Sequence, residues 1–552
     1  MKRYREQEAV DFVVVGSGAS GGVIAKQLAS RGLSVVVLEQ GPWKKQADFH
    51  HDEIDIFINS GFSNDRRIQT QTTRKTGQEV AKVAPNDGWT GAGYHRMVGG
   101  GSVCFTANYW RLHEIDFIER SKLGAIPGST LVDWPIQYAD LEPYYTQAEQ
   151  ELGVSGQAGA SPFDPPRSKP YPLPPMPVKS SGVLFDRGAT KLGLHPFPAP
   201  LAIISQAYND RTPCQHCGFC LGFGCEYGAK SSTLFTTIPA AVATGKCEIR
   251  PDSYVSRVEI NARGRVTGVK YFDAAKAEHV QAARAVIVCA NGAETPRLLL
   301  MSTSSLFPNG LANSSGIVGK NLMFNGYSQN TGLFEGQTNE YKSVMATRIL
   351  HDFYDADLRR GFYGGGGIDA RLFAYPAQFA LSGLPQDAPN WGLGFKHMLR
   401  DYYTRCAGVD GHTTSLPVET NSISLDPTHK DAWGLPALRV TYKDHADDIA
   451  TMKFFQKRCV EILEAAGAKR TWSAPVEEQT GGVHLLGTCR MGNDAKASVI
   501  DRNHRTHDVR NLFLCDGSSM VTGGRGQPTA TIQALAFRAG ELIAGFAKRN
   551  EI

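Results

Sequence analysis

The hydrophobic pattern changes character along the chain. Near the N-terminus an unbroken apolar run, Phe12 to Val15, leads into Gly16-Ser-Gly18-Ala-Ser20-Gly21-Gly22. A stretch with helical spacing, Val23 to Arg31, follows, and then a second apolar run from Leu33 to Leu38. Runs that are apolar at every position predict strands buried on both faces, as in a parallel sheet. Ala285–Ala290 is a further run of this kind, and strand-like runs with polar positions among them lie at Cys247–Ile249, Val255–Ile260 and Val266–Phe272, with a short strand at Leu512–Cys515. From Phe334 to roughly Pro475 the pattern is different. Glycine-rich and aromatic segments, with alternating runs at Ser422–Leu425 and Ala437–Tyr442, predict antiparallel pairing. Helical spacing recurs at Tyr138–Leu152, Thr295–Met301, Ala446–Ala466 and Thr529–Ala547.

The N-terminal order of strand, glycine loop, helix and strand is that of a dinucleotide-binding unit, closed by Glu39, 23 residues after Gly16. Gly16 permits the tight turn, Gly18 lets the backbone approach a pyrophosphate, and Gly21 lets helix pack on strand. The free N–H groups of the helix start, with Ser20 beside them, face the phosphates. Glu39 is placed to accept from a ribose. Ala285–Ala290, followed by Asn291-Gly292 and a helix, repeats this logic and returns the chain to the same sheet. The proline-rich stretch Ser161 to Pro177 cannot be regular helix or central strand and marks a surface excursion or boundary.

At 552 residues the chain is too long for one core. A net charge of +4 with no basic block gives nucleic-acid binding no support. No apolar run reaches the roughly 18 residues of a membrane span, and Met1 to Val10 is too polar for a signal peptide. Cytoplasmic residence is the default expectation. Eleven cysteines, an odd number, argue against a fully paired secreted framework.

Three more segments carry chemistry. Val98-Gly99-Gly100-Gly101-Ser102 with Asn108-Tyr-Trp-Arg111 forms a second glycine-rich loop that can pass close to a flat cofactor. The second is Val286 to Leu300. The third runs from His484-Leu-Leu-Gly487-Thr488 through Asp516-Gly517-Ser518 to Pro528-Thr529-Ala-Thr-Ile532. With the N-terminal fingerprint, and in the same order along the chain, these resemble the glucose–methanol–choline (GMC) family of flavin oxidoreductases. The central region matches only loosely. The resemblance implies an α/β FAD-binding, Rossmann-like domain assembled discontinuously from residues 1–120, 230–330 and 480–552. Residues 121–229 and 331–479 would form an α+β substrate domain with a mostly antiparallel sheet. It implies FAD held by Gly16, Gly18, Ser20, Gly21 and Glu39 at the ADP half. Gly99, Gly100, Ser102 and Asn108 would lie along the flavin and pyrophosphate, Val255 at the adenine, and Asp516, Gly517, Pro528 and Thr529 at the far end. Some relatives attach flavin to a histidine where this chain has Cys104. Histidyl attachment there is excluded, and a packed, inert thiol is preferred to a thioether.

His484 matches the family's catalytic histidine. Alcohol oxidation must lose a hydroxyl proton as well as a hydride, and an imidazole can take that proton near neutrality. The family usually pairs this residue with a second histidine or an asparagine, but here the position is Gln527. An amide cannot act as a base, yet it can orient a substrate oxygen. Arg490 and Arg525 are candidates for positive charge near substrate or flavin, with structural ion pairs as the alternative.

Cys214-x2-Cys217-x2-Cys220-x4-Cys225 has the ligand rhythm of ferredoxin-like iron–sulfur sites. A zinc site or a disulfide-clasped loop would also account for it. A cluster would pass electrons to an external acceptor. The resemblance therefore implies FAD-dependent oxidation of an alcohol group on a sugar, glycoside or sugar acid. His484 would be the general base and flavin N5 would accept the hydride, a dehydrogenase being favoured over an oxidase. Oxidation of an aromatic or long-chain alcohol, and a redox-silent hydroxynitrile-lyase chemistry, are the alternatives. A small subunit or cytochrome partner would permit co-export to the periplasm.

Overall fold

The computed structural model describes residues 2–59, 65–86 and 90–552. The unbroken apolar runs become parallel strands. Val10–Val15 lies between Val35–Leu38 and Glu278–Val288, both parallel to it, with Val13 opposite Val36 and Val286. Cys247–Arg250 extends the sheet beyond Val35–Leu38, and Leu512–Leu514 pairs in parallel with the end of Glu278–Val288. All four residues of Val35–Leu38 are buried, as a strand covered on both faces requires. Glu278–Val288 does double duty. Its first half pairs antiparallel with Val266–Phe272, which in turn pairs with Tyr254–Ile260. Its second half carries the parallel sheet. The helices Gly21–Ala29, Tyr138–Leu152, Thr237–Ala243 and Thr529–Lys548 pack on one another as a layer against this sheet.

A second, five-stranded sheet is antiparallel throughout, in the order Gly326–Ser328, Asp410–Thr413, Gly366–Asp369, Arg348–Leu350 and Phe197–Pro198. The helix Ala446–Ala465 covers its back, where Phe455, Cys459 and Ile462 pack with Leu350, Ile368 and Ala370. Successive strand residues face opposite ways. With Ile368 and Ala370 turned to the helix, Asp369 and Arg371 turn to the other face. Asp410 and His412 join them there, because Asp369 pairs with Asp410, and Tyr327 lies opposite His412. This polar face of a buried sheet looks toward the parallel sheet. The fold is thus a Rossmann-like α/β unit with mixed edges plus an α+β unit rich in antiparallel pairing. The stretch from Ser161 to Pro177 holds no helix or extended strand. No helix among the described residues is long and apolar enough to cross a membrane.

One helix begins earlier than the sequence pattern suggests. Asn291–Met301 starts four residues before Thr295. Asn291 takes a left-handed conformation, φ +75°, and its Oδ1 accepts from the Ala293 and Glu294 N–H groups at 2.9 and 3.1 Å. Pro296 therefore lies inside the helix and has no N–H for the Gly292 carbonyl. That carbonyl accepts instead from Thr488 Oγ1 at 2.6 Å. The arrangement ties the His484 segment to the nucleotide sheet. Thr488→Val leaves the buried Gly292 carbonyl without a donor and is expected to cost about 1–3 kcal/mol. It should lower the urea midpoint with an unchanged m-value.

Candidate active site

Between the two sheets lies a cavity of about 530 Å³, within the range of small-molecule and cofactor sites. One end is built from the glycine loops. Gly16 turns with φ +92°, and a Cβ there would meet the Cys289 carbonyl oxygen at 2.5 Å. The loop from Gly99 crosses the first one so closely that a Cβ on Gly100 would stand 2.8 Å from Gly18 Cα. The crossing is pinned by Glu39. Its carboxylate accepts from Ser17 N at 3.1 Å, Ser17 Oγ at 2.7 Å and Gly41 N at 3.0 Å, while Ser17 Oγ accepts from Gly99 N at 3.0 Å. Gly18, Ser20, Glu39, Gly100, Ser102 and Val255 all line this end. Gly21 and Gly99 lie just behind it. Burial raises the pKa of Glu39, and the three donors work against that rise.

The other end is polar and contains more than the sequence reading singled out. His484 and Gln527 both line it, next to Pro528, Thr529, Asp516 and Gly517. Asp516 has its carboxylate turned to protein. It accepts from Thr295 Oγ1 at 2.6 Å, Ser518 N at 2.8 Å and Asn291 N at 3.1 Å, joining two strand ends. From the second sheet come Tyr327, Arg371 and His412. Gln527 Nε2 lies 3.3 Å from His412 Nδ1, and His412 Nε2 lies 3.1 Å from Asp369 Oδ2. Asp369 also receives Arg371 and, at 2.8 Å, Asn108 Nδ2. Asn108 thus stands behind the wall and acts through Asp369, away from the cofactor position expected for it. Burial brings the His484 imidazole down to about 3, assisted by His412 and Arg371, so the ring is neutral at physiological pH. Burial opposes ionisation of Asp369, but Arg371 and His412 outweigh it and hold Asp369 near 2. Asp410, buried and facing Asp369, rises to about 8 and accepts from Tyr327 Oη at 2.5 Å.

Comparison with known proteins agrees with this architecture. Residues 182–325 and 417–536 match the family models for GMC oxidoreductase, and residues 14–42 match an NAD(P)-binding Rossmann-like domain. The 2-methyl-1,2-propanediol dehydrogenase of Mycolicibacterium austroafricanum is 35% identical, over 97% of this chain and 95% of its own. The chain belongs to the GMC oxidoreductase family. The gluconate 2-dehydrogenase flavoprotein of Pantoea cypripedii is 30% identical over 98% of this chain and 94% of its own. The crystal structure of pyridoxine 4-oxidase from Mesorbium loti superposes with a TM-score of 0.63, covering 96% of this chain and 98% of that one. At 16% identity, this likeness speaks to the fold alone.

The residues of this GMC oxidoreductase fit FAD. The first helix presents its start with no side-chain cap and no acidic residue in the first turn, leaving N–H groups for a pyrophosphate. Gly101 has open space on its Cβ side. Cys104 lines the cavity as a buried thiol pushed up to about 11 by burial, which suits an inert packed group.

Other expectations need correction. Arg525 is fully buried, with Nη2 2.7 Å from Glu119 and Nε 3.5 Å from Asp116, and it is absent from the cavity lining. Arg490 donates to the Ala497 and Thr130 carbonyls and is equally remote. Both arginines are structural. The four cysteines of the 214–225 loop surround a void of only about 20 Å³. Among the described residues no group of three or more histidine, cysteine, aspartate or glutamate side chains is arranged to hold a metal ion. Burial raises the thiols of Cys214 and Cys220 to about 11 and 12. The iron–sulfur expectation is therefore unsupported. What organises the loop is Lys230, whose Nζ donates to the carbonyls of Cys220, Phe223 and Phe105 at 2.5, 2.8 and 3.0 Å. Gly100→Val would force the two glycine loops apart. It is expected to lower retained FAD by about tenfold or more, read as flavin absorbance per chain after purification.

Proposed function

We propose that this chain oxidises an alcohol group on a polar, hydroxylated small molecule, with His484 accepting the hydroxyl proton. The observation that carries the reading is a shared cavity. His484 and Gln527 face one end of a space whose other end is the glycine cradle. Bound in that cradle, FAD would supply at N5 the acceptor for the hydride lost from the carbinol carbon. The protein's own task is then to hold the hydroxyl and take its proton. A neutral imidazole in a dry pocket has a free lone pair for this. Burial, His412 and Arg371 all disfavour the imidazolium, so the ring is held in its proton-accepting form.

The density of donors and acceptors supports a hydroxylated substrate. Tyr327, Arg371, His412, Gln527 and Asn325 all line the same end. Each has a partner within the protein, but Gln527 Oε1 and Asn325 Oδ1 have none among the described residues, and an aromatic or long-chain alcohol would leave these acceptors unpaired. The relatives named above as dehydrogenases of a diol and of gluconate point the same way. They also favour a dehydrogenase over an oxidase. The name of the Pantoea relative, a flavoprotein, is consistent with a partner subunit that receives the electrons.

His484→Ala is expected to slow anaerobic flavin bleaching by substrate by about a hundred- to ten-thousand-fold while FAD stays bound. Bleaching at the wild-type rate would dismiss His484 as the base, and no bleaching by any alcohol would favour the lyase chemistry. The pH dependence has a definite sign. The base works deprotonated and its pKa is lowered from 6.5 to about 3, so activity is lost only as pH falls toward that value. A profile of kcat/KM should stay flat down to about pH 5, rather than bending near the ordinary histidine value.

A further inference from the structure

The wall opposite His484 carries a second histidine that the reaction above leaves unused. His412 sits on the strand Asp410–Thr413 and is 4% exposed. Its two nitrogens have different neighbours. Nε2 lies 3.1 Å from Asp369 Oδ2 but off the line of a well-formed hydrogen bond, and a bare lone pair there would confront an ionised oxygen that can only accept. Asp369 is kept in that state by Arg371 and is further held by Asn108. The Nε2 position therefore carries the ring proton. Burial keeps His412 neutral, which leaves Nδ1 as a bare lone pair. The group facing that lone pair at 3.3 Å is the Gln527 amide. Only its NH2 end can make a bond there, because the reverse orientation would set two acceptors against each other.

Once its NH2 end is committed to His412, Gln527 has its carbonyl Oε1 fixed as well. That oxygen receives no hydrogen bond from any described residue, and Gln527 lines the cavity. Proton counting then constrains the substrate. The hydroxyl to be oxidised has one proton, and His484 takes it. Gln527 Oε1 is a second acceptor beside the first, and it needs a second donor. Arg371 complements it. Among the described residues only its Nη2 is hydrogen-bonded, and with Nε sealed inside the wall it is Nη1 that remains for a substrate oxygen.

We propose that Asp369 and His412 are positioning residues that lock the Gln527 amide, so that its Oε1 accepts from a hydroxyl adjacent to the one oxidised. The pocket thereby selects vicinal diols and polyols over simple alcohols. This rests on the alcohol-oxidation reading given above.

The test uses the FAD-loaded enzyme and two matched pairs of alcohols: 1,2-propanediol against 1-propanol, and erythritol against 1,4-butanediol, which lacks adjacent hydroxyls. The readout is the ratio of kcat/KM within each pair, from anaerobic flavin reduction. Wild type should prefer the vicinal member. His412→Ala should shrink the ratio by about tenfold, chiefly through KM of the vicinal member. His412→Asn places Oδ1 where Nδ1 stood and should recover most of it. Gln527→Met, close in shape but lacking the acceptor, should shrink the ratio alone, and adding His412→Ala should change it no further. Gln527→Met also carries the test if His412→Ala fails to fold. Equal ratios in wild type and Gln527→Met, or an Asn variant no better than Ala, would overturn the proposal. A wild type reduced equally by both members of each pair overturns it and leaves alcohol oxidation standing. A wild type reduced by none of the four overturns both readings.

Discussion

The cavity exists because two glycine loops can cross, and they can cross because one buried carboxylate fastens them. Glu39 stands at the end of Val35–Leu38 and takes three hydrogen bonds, from both donors of Ser17 and from Gly41 N. Ser17 Oγ in turn takes the Gly99 N–H, so one side chain registers three backbone segments. Hydrogen bonds to a charged acceptor contribute about 1.5–3 kcal/mol each, and losing this one would strand several buried donors. A carboxylate has about four acceptor positions. With three used by the protein, Glu39 keeps one for a ligand. Its part in building the site comes first.

The reactive end is governed by a balance of charge rather than an excess of it. Asp369 and Arg371 cancel, Asp410 is held protonated by burial and by Asp369, and both histidines are neutral. Such a site recognises its ligand through directed hydrogen bonds. The pair Arg525 and Glu119, a short way behind, is a different matter. It is sealed inside the protein and supports the wall against which Tyr354 and Tyr363 pack.

What the sequence revealed follows the range over which each signal acts. Continuous apolar runs marked the parallel strands, because a strand covered on both faces needs no partner to be recognised. The glycines at 16, 18 and 100, with His484 and Gln527, stood in recognisable local settings. The face formed by Tyr327, Asp369, Arg371 and His412 was not legible. Tyr327, Asp369 and His412 come from strands of three or four residues and Arg371 from just past the end of one, and only the pairing of those strands shows that they share a side. A usable clue was present. Ile368-Asp369-Ala370-Arg371 alternates apolar with charged residues after a glycine run, in a segment that proves wholly buried apart from the cavity. The cysteine loop misled for the opposite reason. Its spacing is a strong local signal, but the group that shapes it is Lys230, outside the motif. Likewise the helix at Asn291–Met301 starts early because Thr488, far along the chain, satisfies the carbonyl that Pro296 abandons.

The pairing of the central strand has a consequence for biosynthesis. Val10–Val15 is made together with its parallel neighbour Val35–Leu38, but its second parallel neighbour pairs only from Ala283 onward, and the strand beyond that one is Leu512–Leu514. Long-range parallel pairing of this kind is slow and leaves strand edges open meanwhile. The glycine cradle can close once the strand ending at Val288 has been made. His484, the proposed proton acceptor, follows well after the strand that closes the cradle, so the glycine end of the cavity is complete in the chain before the reactive end exists.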